Sequence, residues 1–127
     1  MLLMGSAAML LSATLMGQPK PWVVPDNFKS MKNPVAQGDV STKAGMALWV
    51  KNCASCHGKA GLGDGVKARA LKTNPGDFSK AGYQSQTDGE LFYKTKNGRG
   101  DMPKYDGKIT DDEIWNLINY TRTLKKV

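Results

Sequence analysis

Cys53-Ala54-Ser55-Cys56-His57 decides the reading of this chain. Two thiols three positions apart lie on one side of a helical turn, and the adjacent imidazole is delivered beside them. The pattern is the attachment signature of c-type haem, in which each thiol forms a thioether to a haem vinyl group and the histidine reaches the iron. Three rival readings use some of the same residues. A thioredoxin-like pair starts a helix after a strand, and no βαβ pattern surrounds these cysteines. A structural zinc site needs ligands this chain lacks, because its 127 residues include only 2 Cys and 1 His. A Cys53–Cys56 disulfide is the remaining alternative. A His-pair metal site and a bis-His haem are excluded by the same scarcity.

An iron held by His57 has an opposite face to fill. Neither a second His nor a spare Cys is available, so a thioether becomes the natural donor. Outside the N-terminal apolar segment the methionines are Met31, Met46 and Met102. Met46 lies two turns before Cys53 on the same proposed helix, where core packing explains it, and Met31 sits in a proline-rich stretch. Met102 follows Asn97-Gly98-Arg99-Gly100-Asp101, a loop whose glycines allow close approach to a flat cofactor, and Pro103 stiffens its exit. Met102 is therefore the expected sixth ligand, with lysine ligation or an open site as alternatives.

Around the motif the signals are mostly helical. Ser41 or Thr42 is placed to cap a helix whose apolar residues Met46, Trp49, Val50 and Cys53 recur at spacings of three and four. Thr87-Asp88-Gly89-Glu90 and Thr110-Asp111-Asp112-Glu113 both read as capping boxes, and Ile109 with Ile114 has the spacing of a hydrophobic staple. Gly98 is a plausible stop for the first of these helices. The second presents Ile114, Leu117, Ile118, Thr121 and Leu124 on one stripe, with acidic residues in its first turn and basic ones near its end. Between Gly58 and Lys80 a loop is expected, with at most a short helix over 66–71. The fold is thus mainly α, with about three to five helices around one covalent haem and no substantial sheet.

Residues 1–19 contain no Lys, Arg, Asp or Glu, and Met1 to Met16 is nearly all Met, Leu, Ala and Gly. Residues 1–17 read as a signal peptide or an N-terminal membrane anchor, although no basic residue precedes the apolar run and no clean small-x-small cleavage site follows it. A buried core helix is a third option. Residues 18–40 hold Pro19, Pro21, Pro25 and Pro34, four of the chain's 6 prolines, and read as an extended arm. Trp22, Val23, Val24 and Phe28 are too apolar for a free tether, so the arm packs either on the domain behind it or on a partner subunit. Residues 41–127 form the remaining domain.

That domain resembles a small monohaem class I cytochrome c. The resemblance is carried by CASCH at 53–57, GLGDG at 61–65, GRGDMPKY at 98–105 and the closing DDEIWNLINYTRTL at 111–124, which stand in the family's order. It implies a crossing of the first and last helices through Gly45 and Trp49 against Leu117 and Tyr120. It also implies that a proline carbonyl, here that of Pro75, accepts the proximal histidine's proton. Leu62, Phe78, Leu91, Phe92 and Trp115 are candidate walls of the haem pocket, and core packing is an equal reading for each.

With His57 and Met102 on the iron no coordination position stays open, which points away from substrate chemistry and toward single-electron transfer between Fe(II) and Fe(III). The formal charge of +7 comes wholly from residues after position 19. Lys51, Lys59, Lys67, Lys104 and Lys108 lie near the motifs and would steer the protein toward acidic redox partners such as a quinol-oxidising complex, a terminal oxidase or another reductase. The same lysines as scattered solubilising charges are the bland alternative. No Arg cluster or helix-turn-helix pattern supports nucleic-acid binding. The expected role is an electron carrier rather than an enzyme, exported to the periplasm or the outer face of the cytoplasmic membrane. A haem-carrying subunit of a larger membrane-associated respiratory complex is the second reading, and a haem sensor or peroxidase-like enzyme with an open site the third.

Overall fold

In a computed structural model, which describes residues 20–126, three longer helices supply the frame. The expectation for residues 1–17 lies outside the described residues. The longer helices are α2 (Asp39–Asn52), α5 (Asp88–Asn97) and α6 (Asp111–Arg122). Single turns form α1 (Asp26–Lys29), α3 (Ala54–His57) and α4 (Ala81–Gln84), and a 3-10 turn spans Ala68–Ala70. Among the described residues β-pairing is limited to two isolated bridges, Arg99 with Met102 and Asp106 with Ile109.

Both capping boxes form. Thr87 accepts from the Glu90 amide and Glu90 accepts from the Thr87 amide, and Thr110 and Glu113 repeat the exchange. Each box satisfies two amides that the helix start would leave unpaired, which fixes where α5 and α6 begin. Ile114 at the start of α6 is fully buried, and Ile109 packs against both core clusters.

The start and the buried face of α2 differ from the sequence expectation. The helix begins at Asp39 with Gly38 as its N-cap, while Ser41 is buried and its hydroxyl donates to the Ala36 and Gly38 carbonyls. Met46 and Val50 are 51% and 63% exposed, so Met46 is not a core residue. The inward face is Ser41 with Gly45 and Trp49, the two residues the resemblance puts at the crossing with the last helix. The cause is the crossing with α6. A Cβ on Gly45 would strike the Asn116 carbonyl oxygen and come within 2.8 Å of the Tyr120 Cβ, so only glycine lets the helices approach this closely. Trp49, Leu117 and Tyr120 then close around that contact as one core cluster.

The second cluster, Leu91, Phe92, Ile114, Trp115 and Ile118, lies between α5 and α6 and is covered by the arm through Phe28, Met31 and Val35. The arm is not extended throughout: α1 interrupts it and seats Phe28 against Tyr93 at 4.9 Å between ring centroids. Polar bonds finish the docking. Asn119, buried in α6, accepts from the Asn33 side chain at 2.8 Å and donates to the Val35 and Ala36 carbonyls, while Gln37 donates to the Asn119 carbonyl. Of the four apolar arm residues, Val24 is buried and Trp22 and Phe28 are half-buried, while Val23 is 80% exposed.

Candidate functional site

The cysteine motif sits where α2 gives way to α3. Cys53 bonds its amide to the Trp49 carbonyl, and the His57 amide closes the next turn onto the Cys53 carbonyl at 2.9 Å. Cys53, Cys56 and His57 are each half-buried, and both cysteines are free thiols. Burial, reinforced by the neighbouring Cys56, pushes the Cys53 thiol up to about 12. A redox or nucleophilic pair needs the opposite shift, toward a thiolate at neutral pH, so this environment disfavours the thioredoxin-like reading.

The loop expected after Gly58 is present, and the only helix in it is the 3-10 turn at Ala68–Ala70. It folds back on the motif and ties down its carbonyls. The Gly63 amide donates to His57, Gly65 to Cys56 and Lys67 to Ser55. Phe78 then joins the loop through its amide to Gly61 at 2.7 Å, which brings its ring to the histidine.

His57 lies in an aromatic wall. Its ring centroid is 4.7 Å from Phe78 and 5.6 Å from Trp49, and Trp49 is fixed by its indole donating to the Gly58 carbonyl at 3.1 Å. Burial holds the imidazole below its ordinary pKa, keeping it neutral with a lone pair free for a metal, and the Pro75 carbonyl acts in the opposite sense as a hydrogen-bond acceptor. Nδ1 is buried and has no partner of full hydrogen-bond geometry among the described residues, so the Pro75 carbonyl lies close enough to influence the ring but short of a formed bond. A neutral imidazole with a buried Nδ1 beside a carbonyl, on one turn with two free thiols, is a donor set that fits a covalent haem.

Met102 is half-buried in a tight loop. Its amide and carbonyl pair with those of Arg99, both at 3.0 Å. Gly98, at φ 62°, makes the turn possible, because a Cβ there would strike the Met102 and Pro103 carbonyl oxygens. Two bonds tether this loop to the rest of the site. Tyr105 donates its hydroxyl to the Asn52 carbonyl at 2.8 Å, one residue before Cys53, and Asp101 accepts from the Lys72 amide at 2.7 Å. Burial and the nearby Cys53 and Cys56 push the Tyr105 phenol up to about 12, another sign that this loop closes over the cysteines.

The remaining candidate wall residues divide. Phe78 is in the histidine wall, and Leu62 is half-buried between Gly61 and Gly63. Trp115, Leu91 and Phe92 belong to the cluster under the arm, where Trp115 stacks on Phe92 at 4.2 Å. Lys51, Lys59, Lys67, Lys104 and Lys108 are all exposed; Lys104 lies 3.7 Å from Asp106, and Lys108 stands over the Tyr105 ring. Tyr105 and Arg99 were not singled out from the sequence, since nothing local to them reports their long-range partners.

Residues 40–120 match the family described as cytochrome C oxidase, cbb3-type, subunit III. The chain belongs to this family of small monohaem c-type cytochromes. It is 36% identical over 83 residues to cytochrome c6 of Picosynechococcus sp., a match covering 61% of this chain and 68% of that protein. It is 28% identical over 79 residues to cytochrome c6 of Euglena gracilis, covering 62% and 87%. Against cytochrome c-551 of Halorhodospira halochloris the identity is 35% over 69 residues, covering 54% and 76%. Among solved structures, a reducing HAO-like protein complex of Kuenenia stuttgartiensis shares the fold with a TM-score of 0.66 at 22% identity, over 87% of this chain but only 53% of that one. The KustC0563 c-type cytochrome aligns with a TM-score of 0.58 at 26% identity, over 65% of this chain and 98% of that one. This cytochrome therefore carries haem c, its Cys53 and Cys56 fit the attachment motif, and it serves haem-based electron transfer rather than enzymatic turnover.

Proposed function

We propose that this cytochrome carries single electrons between protein partners outside the cytoplasm, with Cys53 and Cys56 as the thioether residues and His57 and Met102 as the axial ligands. When bound, the haem supplies a one-electron Fe(II)/Fe(III) couple. The chain's residues do the rest. Trp49 and Phe78 hold the His57 ring and exclude water from it. The Pro75 carbonyl stands near the ring as the acceptor that would orient the imidazole. The observation that carries the reading is the hydroxyl of Tyr105 on the Asn52 carbonyl, which brings the Met102 loop to the turn that bears the cysteines. With haem bound, His57 and Met102 would hold the iron, and a thioether donor would favour its reduced state.

The exposed lysines around these segments and the formal charge of +7 support an acidic docking surface on the partner, as a quinol-oxidising complex, a terminal oxidase or another reductase would offer. Export, with periplasmic or membrane-surface residence, is the setting that c-type haem attachment and the apolar residues 1–17 support. Among the described residues no helix is long and apolar enough to cross a membrane; residues 1–17 are the segment proposed for membrane association.

A second reading is favoured by the matching family's description as an oxidase subunit: the domain is the haem-bearing subunit of a larger membrane-associated oxidoreductase. Stopped-flow electron transfer at increasing ionic strength separates the two. A shuttle slows as salt screens its lysines; a salt-independent rate within a stable, co-purifying complex identifies the subunit. For the ligands, Met102→Ala abolishes the sulfur-to-ferric-iron charge-transfer band while leaving the haem covalently bound. A band that survives the substitution overturns Met102.

A further inference from the structure

The N-terminal arm reaches the far side of the loop that carries Met102. Arg99, which pairs through both of its backbone groups with Met102, places its guanidinium carbon 4.5 Å from the centroid of the Trp22 ring. Its Nη1 also donates to the Lys20 carbonyl at 2.9 Å. Lys94, from the last turn of α5, sits over the same ring at 5.7 Å. Two cations lie over one indole ring, each attracted to its π-system. Burial, with Arg99 adding to it, holds the Lys94 ammonium below its ordinary pKa, while Glu90 opposes the shift. The other end of the arm is pinned to α6 by the Asn33–Asn119 pair and to α5 by Phe28 on Tyr93.

We infer that Lys20 and Trp22 form a strap across the Met102 loop, and that Trp22 and Arg99 are positioning residues that hold the sixth iron ligand in place. The inference rests on Met102 being that ligand. Arg99, Gly100, Asp101 and Pro103 are all exposed, so the loop has little packing of its own. Its tethers on the cysteine side come from Tyr105 and Asp101. On the α5 side the Tyr105 and Asp106 amides bond the Lys96 carbonyl after the loop, and the strap adds a restraint before Met102 that Arg99 transmits through the paired backbone. Loosening the strap leaves the haem attached and the helices packed, but lets the thioether leave the iron more readily.

Imidazole competes with a methionine for ferric haem iron, and its affinity reads how readily the loop opens. The experiment titrates imidazole into the ferric holoproteins of the parent, Trp22→Ala, Arg99→Ala and Arg122→Gln, following the charge-transfer band, with Met102→Ala as the ligand control. Arg122 ties α6 to Asp88 and to the Gln84 and Gln86 carbonyls, remote in sequence from the strap, so its loss reports general destabilisation. Trp22→Ala and Arg99→Ala are expected to bind imidazole about fivefold more tightly than the parent, equivalent to about 1 kcal/mol at tenfold per 1.4 kcal/mol and the size of a cation–π contact. Arg122→Gln is expected to lower the thermal midpoint without changing imidazole affinity. If Trp22→Ala does not fold, Arg99→Ala and the milder Trp22→Leu give the same reading. Parent-like affinity in the strap variants, or an equal rise in Arg122→Gln, overturns the strap while Met102 stands. A charge-transfer band that persists in Met102→Ala overturns the ligand reading itself.

Discussion

Tyr105 donates its hydroxyl to the backbone carbonyl of Asn52 across the cysteine motif, at 2.8 Å. The bond joins the loop after Met102 to the last residue of α2, immediately before Cys53. The contact holds the Met102 loop beside the turn that bears the cysteines. Tyr105→Phe removes the donor and leaves a half-buried carbonyl without its partner. The expected cost is about 1 kcal/mol in denaturant unfolding. A weaker charge-transfer band on mild heating should accompany it, and unchanged stability would show that the contact carries no weight.

The α2–α6 crossing predicts a larger effect from a single methyl group. Gly45→Ala drives a Cβ into the Asn116 carbonyl oxygen and to within 2.8 Å of the Tyr120 Cβ, where backbone blocks any escape. Overpacking of this kind costs about 1–3 kcal/mol. Urea unfolding of the holoprotein should show it as a lower midpoint with the slope retained.

Asn119 is the polar centre of the arm's docking. Only 3% exposed, it bonds both ways to residues 33–37. Asn119→Leu replaces the amide by a branched apolar group and leaves the Val35 carbonyl without its partner, while the Ala36 carbonyl keeps Ser41 and Asn33 keeps only its long contact to the Trp115 carbonyl. The expected loss is about 1–3 kcal/mol, the cost of leaving one buried polar group unsatisfied. Limited proteolysis should cut within residues 20–37 faster than in the parent.

These contacts show where the sequence was legible. The cysteine motif and the two capping boxes depend on residues within one turn of each other, and each formed as its spacing required. The inward face of α2 did not follow from the same kind of reading. Met46 and Val50 looked like core because they are apolar, yet the buried contact is made by Gly45, whose value lies in having no side chain to obstruct α6. Trp115 was equally ambiguous: its helix face was plain, but its packing under Phe28, Met31 and Val35 depended on where the arm lies. The link from Arg99 to Trp22 spans most of the chain, and no local pattern signals it.

Alkaline pH should loosen the fold in a defined direction. Tyr83 is stacked on Phe78 at 3.8 Å and donates to the Thr121 hydroxyl at 2.9 Å. Its phenol is held above the ordinary 10.0 chiefly by burial, with Cys53 and Asp88 adding and the Thr121 bond and Arg122 opposing. Cys53 carries no charge as a thioether, so burial remains the cause in the holoprotein. Because the folded chain keeps a proton that the unfolded chain releases, this contribution to stability is complete below pH 10 and is lost as pH rises beyond it. Burial of the Tyr105 phenol raises its pKa and acts in the same sense. The denaturation midpoint should therefore fall from pH 10 toward pH 12, and Tyr83→Phe should flatten the fall. An equally steep decline in that variant would assign it to other groups.

The most direct test of the account is the intact mass of the chain after expression with a c-haem maturation system, measured under denaturing conditions with and without thiol alkylation. One covalent haem and no alkylatable thiol at Cys53 or Cys56 is the result predicted here. A haem-free chain in which both thiols take up the alkylating reagent would contradict it.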